Sequence, residues 1–174
     1  NSGTASMTVT VNKASMTVVA SSHTVTYGDA TTSLSRSYTG FVNSEDASSS
    51  AFTTGLVAPS CTTTYTSSTS VSSSGIATSC SGGSATNYSF DTYTAGSITI
   101  NKANQAAISV TSTSGTVGST LALTYTGGTG TGSISYQKSN GSATCTLSGS
   151  NLSVSGAGTC LISVTKAADT NYNI

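Results

Sequence analysis

The sequence predicts an all-β chain built as two tandem β-sandwiches, on three observations. Apolar residues recur at every second position in many short runs, the period of a half-buried strand. Those runs are separated by clusters of Gly, Ser, Asn and Asp, which favour turns. And Val9-Thr10-Val11-Asn12-Lys13-Ala14 returns as Ile98-Thr99-Ile100-Asn101-Lys102-Ala103, 89 residues on. A motif recurring at such a spacing marks a repeated module.

The elements follow in chain order. Met7, Val9 and Val11 alternate as a strand. The first half then offers Met16/Val18, Val25/Tyr27, Cys61/Thr63/Tyr65, Ile76/Thr78/Cys80, Tyr88/Phe90 and Ile98/Ile100, with turns at Tyr27-Gly28-Asp29 and Gly40-Phe41-Val42-Asn43. The second half offers Ile108/Val110, Leu121/Leu123/Tyr125, Ile134/Tyr136, Cys145/Leu147, Leu152/Val154 and Cys160/Ile162/Val164. Between these runs, Gly128-Thr129-Gly130-Thr131-Gly132 reads as a hairpin loop. Asn140-Gly141 reads as a hairpin turn, because both residues tolerate positive φ.

A second echo sets the phase of the repeat. Thr86-Asn87-Tyr88 recurs as Thr170-Asn171-Tyr172, and Ile98 follows Tyr88 by ten residues. If another copy followed Ile174 directly, its Val9 would come eleven residues after Tyr172. The reading therefore expects one period of an array, cut out of register with its domains. Residues 1–12 are the last strand of a preceding unit's domain, 13–102 a first domain, and 103–174 a second domain lacking its last strand. Each domain approaches the ~100 residues of an immunoglobulin-type sandwich.

Composition narrows the function. Charged residues make up 6% and the formal net charge is zero, against roughly a quarter charged in ordinary domains. A nucleic-acid partner would demand a basic stripe, so none is expected. Ser and Thr, roughly two residues in five, form the polar surface instead. No run approaches the ~20 apolar residues of a membrane span. With neither leader nor anchor in evidence, an internal segment of a longer chain is expected.

The four cysteines fall as two local pairs. Matched inward parity and the domain boundaries pair Cys61 with Cys80 and Cys145 with Cys160. Without Cys-x-x-Cys spacing, and with His23 the single histidine, a zinc site is not expected. Disulfides place the chain in an oxidising, extracellular setting.

Tyr27-Gly28-Asp29, Gly40-Phe41-Val42-Asn43-Ser44-Glu45-Asp46 and Asn87-Tyr88 leading into Ala95-Gly96-Ser97-Ile98-Thr99-Ile100 resemble an MBG domain. These are immunoglobulin-like repeats of large bacterial surface proteins and adhesins. The likeness spans most of residues 14–103 but lacks the proline usual shortly after the Tyr-Gly-Asp turn. The second half, through Thr111-Ser112-Thr113-Ser114-Gly115-Thr116 and Lys166-Ala167-Ala168-Asp169-Thr170-Asn171-Tyr172, resembles other bacterial immunoglobulin-like repeats. The resemblance implies stalks or fibres at the bacterial cell surface and carries no catalytic residues.

No enzyme is expected: there is no Gly-x-Ser-x-Gly elbow and one imidazole. No cofactor or metal is expected either, because Asp29, Glu45, Asp46, Asp91 and Asp169 are dispersed along the chain. Asn87, Asn140 and Asn151 head formal N-glycosylation sequons. The leading expectation is a structural repeat whose partner is itself, head to tail, with Met7, Val9 and Val11 as a donated strand. The alternative is an adhesin module that binds cell-surface glycans or a host protein through Tyr38, Phe41 and Tyr65.

Overall fold

A computed structural model describes residues 3–174. Backbone contacts divide the chain into two compact units. The first comprises residues up to Val25, Asp29–Ser67 and Ser72–Thr99; the second comprises Thr26–Gly28, Ser68–Val71 and Ile100–Ile174.

The first unit carries β1 (Ala14–Ala20), β2 (His23–Thr26), β3 (Arg36–Thr39), a one-turn helix α1 (Ser50–Thr53), β4 (Ser60–Thr63), β5 (Ile76–Ser81), β6 (Tyr88–Thr94) and β7 (Gly96–Asn101). They form two sheets, ordered β3-β1-β6 and β2-β7-β5-β4. β1 runs antiparallel to β3 but parallel to β6, from Ala14 opposite Tyr88 onward. Period-two alternation aims one face of each strand inward. Met16, Val18 and Ala20 of β1 are buried, as are Thr78 and Cys80 of β5 and Ile98 and Ile100 of β7. Val18, Ala20, Cys80, Phe90 and Tyr38 pack together from both sheets, which is sandwich packing.

One end of this core is aromatic. Phe52 of α1 is fully buried and meets Tyr38, Phe41 and Tyr88 edge-on, with ring centroids 4.8–5.8 Å apart. The buried Thr78 hydroxyl is satisfied by donating to the Ser21 carbonyl at 2.7 Å. Gly96 makes that crossing possible. A Cβ there would stand 2.6 Å from the Ala20 carbonyl oxygen and from Thr78 Oγ1, and nearer still to the Ser21 carbonyl oxygen. Gly96→Ala is expected to lower the unfolding free energy of this unit by about 1–3 kcal/mol, the usual cost of overpacking. Denaturant melts check this.

The second unit carries β8 (Ile108–Val110), β9 (Thr120–Ala122), β10 (Tyr125–Gly127), β11 (Ile134–Ser139), β12 (Cys145–Ser148), β13 (Asn151–Val154) and β14 (Leu161–Lys166). Its sheets are small: β10-β8, β11-β14 and β12-β13-β9. Its fully buried apolar core consists, among the described residues, of Leu123, Cys145 and Leu152. β14 contributes no fully buried residue, unlike β5 and β7.

Three expectations are corrected here. Leu121–Tyr125 is not one strand but β9 and β10, which join different sheets. Asn140-Gly141 does not close a hairpin, because β11 pairs with the distant β14 and β12 with β13; the local hairpin turn is Gly149-Ser150. The Gly128–Gly132 segment also links strands that do not pair with each other.

Candidate assembly surface

Among the described residues no strand precedes Ala14. Met7, Val9 and Val11 are 86%, 67% and 88% exposed. Their counterparts in the repeated motif behave oppositely. Ile98 and Ile100, in β7, are 0% and 3% exposed, and β7 is hydrogen-bonded into its sheet between β2 and β5. The same alternating motif is a core strand at one place and an unpartnered apolar segment at the other.

The second echo is also structural. In the first unit the Lys13 ammonium donates to the Ala85 carbonyl at 2.8 Å and the Ala14 N–H to the Asn87 carbonyl at 3.0 Å. In the second, Lys102 donates to the Asp169 carbonyl at 2.5 Å and Ala103 N–H to the Asn171 carbonyl at 2.9 Å. Each Lys-Ala step thus grips the carbonyl two residues before the Asn and that of the Asn itself. The parallel pairings Ala14–Tyr88 and Ala103–Tyr172 match as well. Beyond Tyr88 come β6 and β7. Beyond Tyr172 come Asn173 and Ile174, and Ile174 is 80% exposed.

β14 is hydrogen-bonded to β11 on one edge. β8 lies alongside β14 without a backbone ladder between them, and the Gln105 amide donates to the Lys166 and Ala167 carbonyls at the strand's end. Next to this edge a groove of about 390 Å³ opens between the sheets, lined by Leu121, Leu123, Leu152, Val154, Cys160 and Ile162 among others.

Around these features the remaining candidate residues are placed as follows. Cys61 is bonded to Cys80, its direct cross-strand neighbour in β4 and β5. Cys145 of the β12-β13-β9 sheet is bonded to Cys160, the residue just before β14. The loops closed span 19 and 15 residues, so each bond is expected to contribute about 3 kcal/mol. Thermal melts with and without reductant should differ by that amount in each unit. Asn87, Asn140 and Asn151 are exposed. The Asn87 amide, the atom a glycan would occupy, donates to the Ala51 carbonyl at 3.2 Å.

The aromatic residues considered for ligand binding lie in the first unit's interior. Tyr65 is buried, with its hydroxyl donating to the Asp29 carbonyl at 2.8 Å. Tyr38 and Phe41 are half-buried and pack on the core around Phe52. The carboxylates serve separate local roles. Glu45 accepts the Tyr88 hydroxyl at 2.5 Å, Asp46 accepts from Ser48 and Ser49 ahead of α1, and Asp91 accepts from Ser89. No group of three or more His, Cys, Asp or Glu gathers among the described residues.

Asp169, read in the sequence only as one of five dispersed carboxylates, anchors the loops of the second unit. Its carboxylate accepts the Thr131 N–H and hydroxyl, at 2.6 and 3.2 Å, and the Asn171 and Tyr172 N–H groups, both at 2.8 Å. It thereby ties the Gly-rich 128–132 segment to the Asn-Tyr turn. The available signal was a carboxylate two residues before Asn171, since Asp at that spacing bonds backbone N–H groups ahead of it. Donation by the Thr131 N–H, then by the others, lowers its pKa from 3.8 to about 2. A depressed carboxylate contributes stability above its unfolded pKa, and that stability is lost as pH falls through the folded value. The second unit is therefore expected to weaken between about pH 4 and pH 2, and Asp169→Asn to flatten that dependence. Acid titration followed by circular dichroism checks it.

The family profile described as MBG domain (YGX type) matches residues 7–99, more than half of the 174-residue chain. The chain belongs to the MBG domain family. The Tyr-Gly-x of that description falls at Tyr27-Gly28-Asp29, where Gly28 turns the chain with φ of 95°, a conformation that favours glycine. The matched MBG span takes in Met7, Val9 and Val11, β1 to β6 and the first four residues of β7. MBG domains are structural, adhesin-type repeat modules of extracellular proteins. Neither the curated proteins nor the solved structures contain a match to this chain.

Proposed function

We infer that the chain is a structural repeat of a bacterial extracellular fibre or adhesin stalk, and not an enzyme. In this reading it holds two immunoglobulin-like domains, 13–102 and 103–174, and residues 1–12 belong to the domain of the preceding unit. The carrying observation is the contrast within one motif. Val9 and Val11 are exposed where Ile98 and Ile100 are buried, while the second unit has an open groove and no counterpart of β7 among its described strands. An exposed strand with apolar side chains and an open sheet edge beside a groove partly lined by Leu, Val and Ile favour each other over water. The extracellular disulfide chemistry and the MBG family agree with this setting.

Completing the second domain with the following unit's strand makes a head-to-tail contact, which propagates as an open filament. The joined units are repeats of one polypeptide or separate subunits. Each domain then contacts its neighbours alone, so length adds linearly. Strands of about ten residues at ~3.3 Å each give roughly 35 Å per domain and 70–80 Å per repeat. Small-angle scattering on chains of one, two and three copies tests this. A linear gain of about 70–80 Å per copy supports the fibre reading; a constant maximum dimension, with copies collapsed on one another, would contradict it.

A further inference from the structure

We propose that the donated strand enters the second unit in a fixed register, with Met7 opposite Ile162 and Val9 opposite Cys160, on the edge of β14 that faces away from β11. This rests on the strand-completion reading above and specifies where the strand lands.

The register comes from the first unit. Tyr88 and Tyr172 occupy equivalent places, each paired in parallel with the Ala of its Lys-Ala step. The same shift of 84 residues carries Ile76–Ser81, which is β5, onto residues 160–165, and β14 runs Leu161–Lys166. Inward parity agrees. Thr78 and Cys80 are the buried residues of β5, and their counterparts Ile162 and Val164 are half-buried while Leu161, Ser163 and Thr165 are exposed. In the first unit Ile76 pairs with Ile98 and Thr78 with Gly96. Val9 stands for Ile98 in the repeated motif and Met7 for Gly96. Transferring those pairs places Val9 opposite Cys160 and Met7 opposite Ile162.

The groove supplies an independent check. Cys160 and Ile162 both line it, together with Leu121, Leu123, Leu152 and Val154. The residues that the register selects, Cys160 just before β14 and Ile162 within it, are therefore those already facing the groove. Size agrees too. The first unit has glycine at this position because the Ala20 and Ser21 carbonyls close over it. In the second unit the corresponding space is open, and a methionine fills irregular apolar gaps well.

β7 pairs with β5 on the edge opposite β4, so the donated strand takes the matching place on the edge of β14 that faces away from β11.

The test is a two-copy chain with Ile162→Cys in the first copy and Met7→Cys in the second, oxidised with oxidised glutathione and peptide-mapped without reduction. A predominant link between positions 7 and 162 is expected. Moving the second cysteine to Thr8→Cys should cut the link about tenfold, because a one-residue step turns the side chain to the other face. Equal linking from Thr8→Cys, or a stronger link from Met7→Cys to Val164→Cys, would overturn the register and leave strand completion standing. Absence of any link along β14 would overturn both.

Discussion

In a two-copy chain, replacing Val9 and Val11 of the second copy with aspartate is expected to destabilise the second unit of the first copy. Burying a valine side chain is worth about 1.5–3 kcal/mol, so the pair amounts to roughly 3–6 kcal/mol before the added cost of two carboxylates. The substituted copy's own first unit should be unaffected, because these side chains are mostly solvated there. In a one-copy chain the same substitutions should leave both melting transitions in place. The two chains thus separate a strand that stabilises a neighbour from one that stabilises its own domain. Equal destabilisation of the one-copy chain would assign residues 7–11 to the first unit's own fold.

The other large effect concerns Phe52. It is fully buried, and four rings surround it: Tyr38, Phe41, Tyr88 and Phe90. Phe52→Ala removes the hub of that cluster and is expected to cost about 3–5 kcal/mol. In a domain of this size that is a drop of more than about 10 °C in melting temperature. Phe52→Leu, which keeps most of the volume, should cost much less. Calorimetry on the two variants checks both values, and the second unit's transition should not move.

Phe52 also marks where the sequence was silent. α1 is a single turn, Ser50-Ala51-Phe52-Thr53, without a side-chain cap. One apolar residue in a Ser-rich stretch has no period to detect, so nothing separated this turn from a loop. β3 escaped for a related reason. Arg36-Ser37-Tyr38-Thr39 holds one apolar residue facing inward, and its pairing with β1 is what makes it a strand. By contrast β1, β5 and β7 were legible because two or three inward positions repeat at period two, which a one-residue slip would expose.

Turn chemistry misled where pairing is non-local. Asn140-Gly141 has the residues of a tight hairpin, yet β11 finds β14 across the sheet rather than β12 beside it. Local propensity cannot report a partner that lies distant in sequence. Leu121–Tyr125 continued its alternation through a change of sheet between β9 and β10, which the pattern does not register. Tyr65 was weighed for binding but has the core role that its strand alternation favoured, with its buried hydroxyl satisfied by a backbone carbonyl 36 residues away.

The echoes between the two units were more legible than most of the fold. Their signal was a repeated motif, not a propensity. The echoes Asn12-Lys13-Ala14 with Asn101-Lys102-Ala103, and Thr86-Asn87-Tyr88 with Thr170-Asn171-Tyr172, correspond to the same Lys-Ala grip made twice. What sequence could not supply was the groove beside β14 and the place of Gln105 at its end, since both depend on strands folded around them.

Amide hydrogen exchange along β14 tests strand completion most directly, in one-copy and two-copy chains compared residue by residue. The amides of Leu161–Lys166 that face away from β11 are bare of any ladder in the one-copy chain. The account predicts that in the first copy of a two-copy chain these amides become protected, while those of the last copy stay fast. Identical exchange in both chains would mean that no strand arrives, and would contradict it.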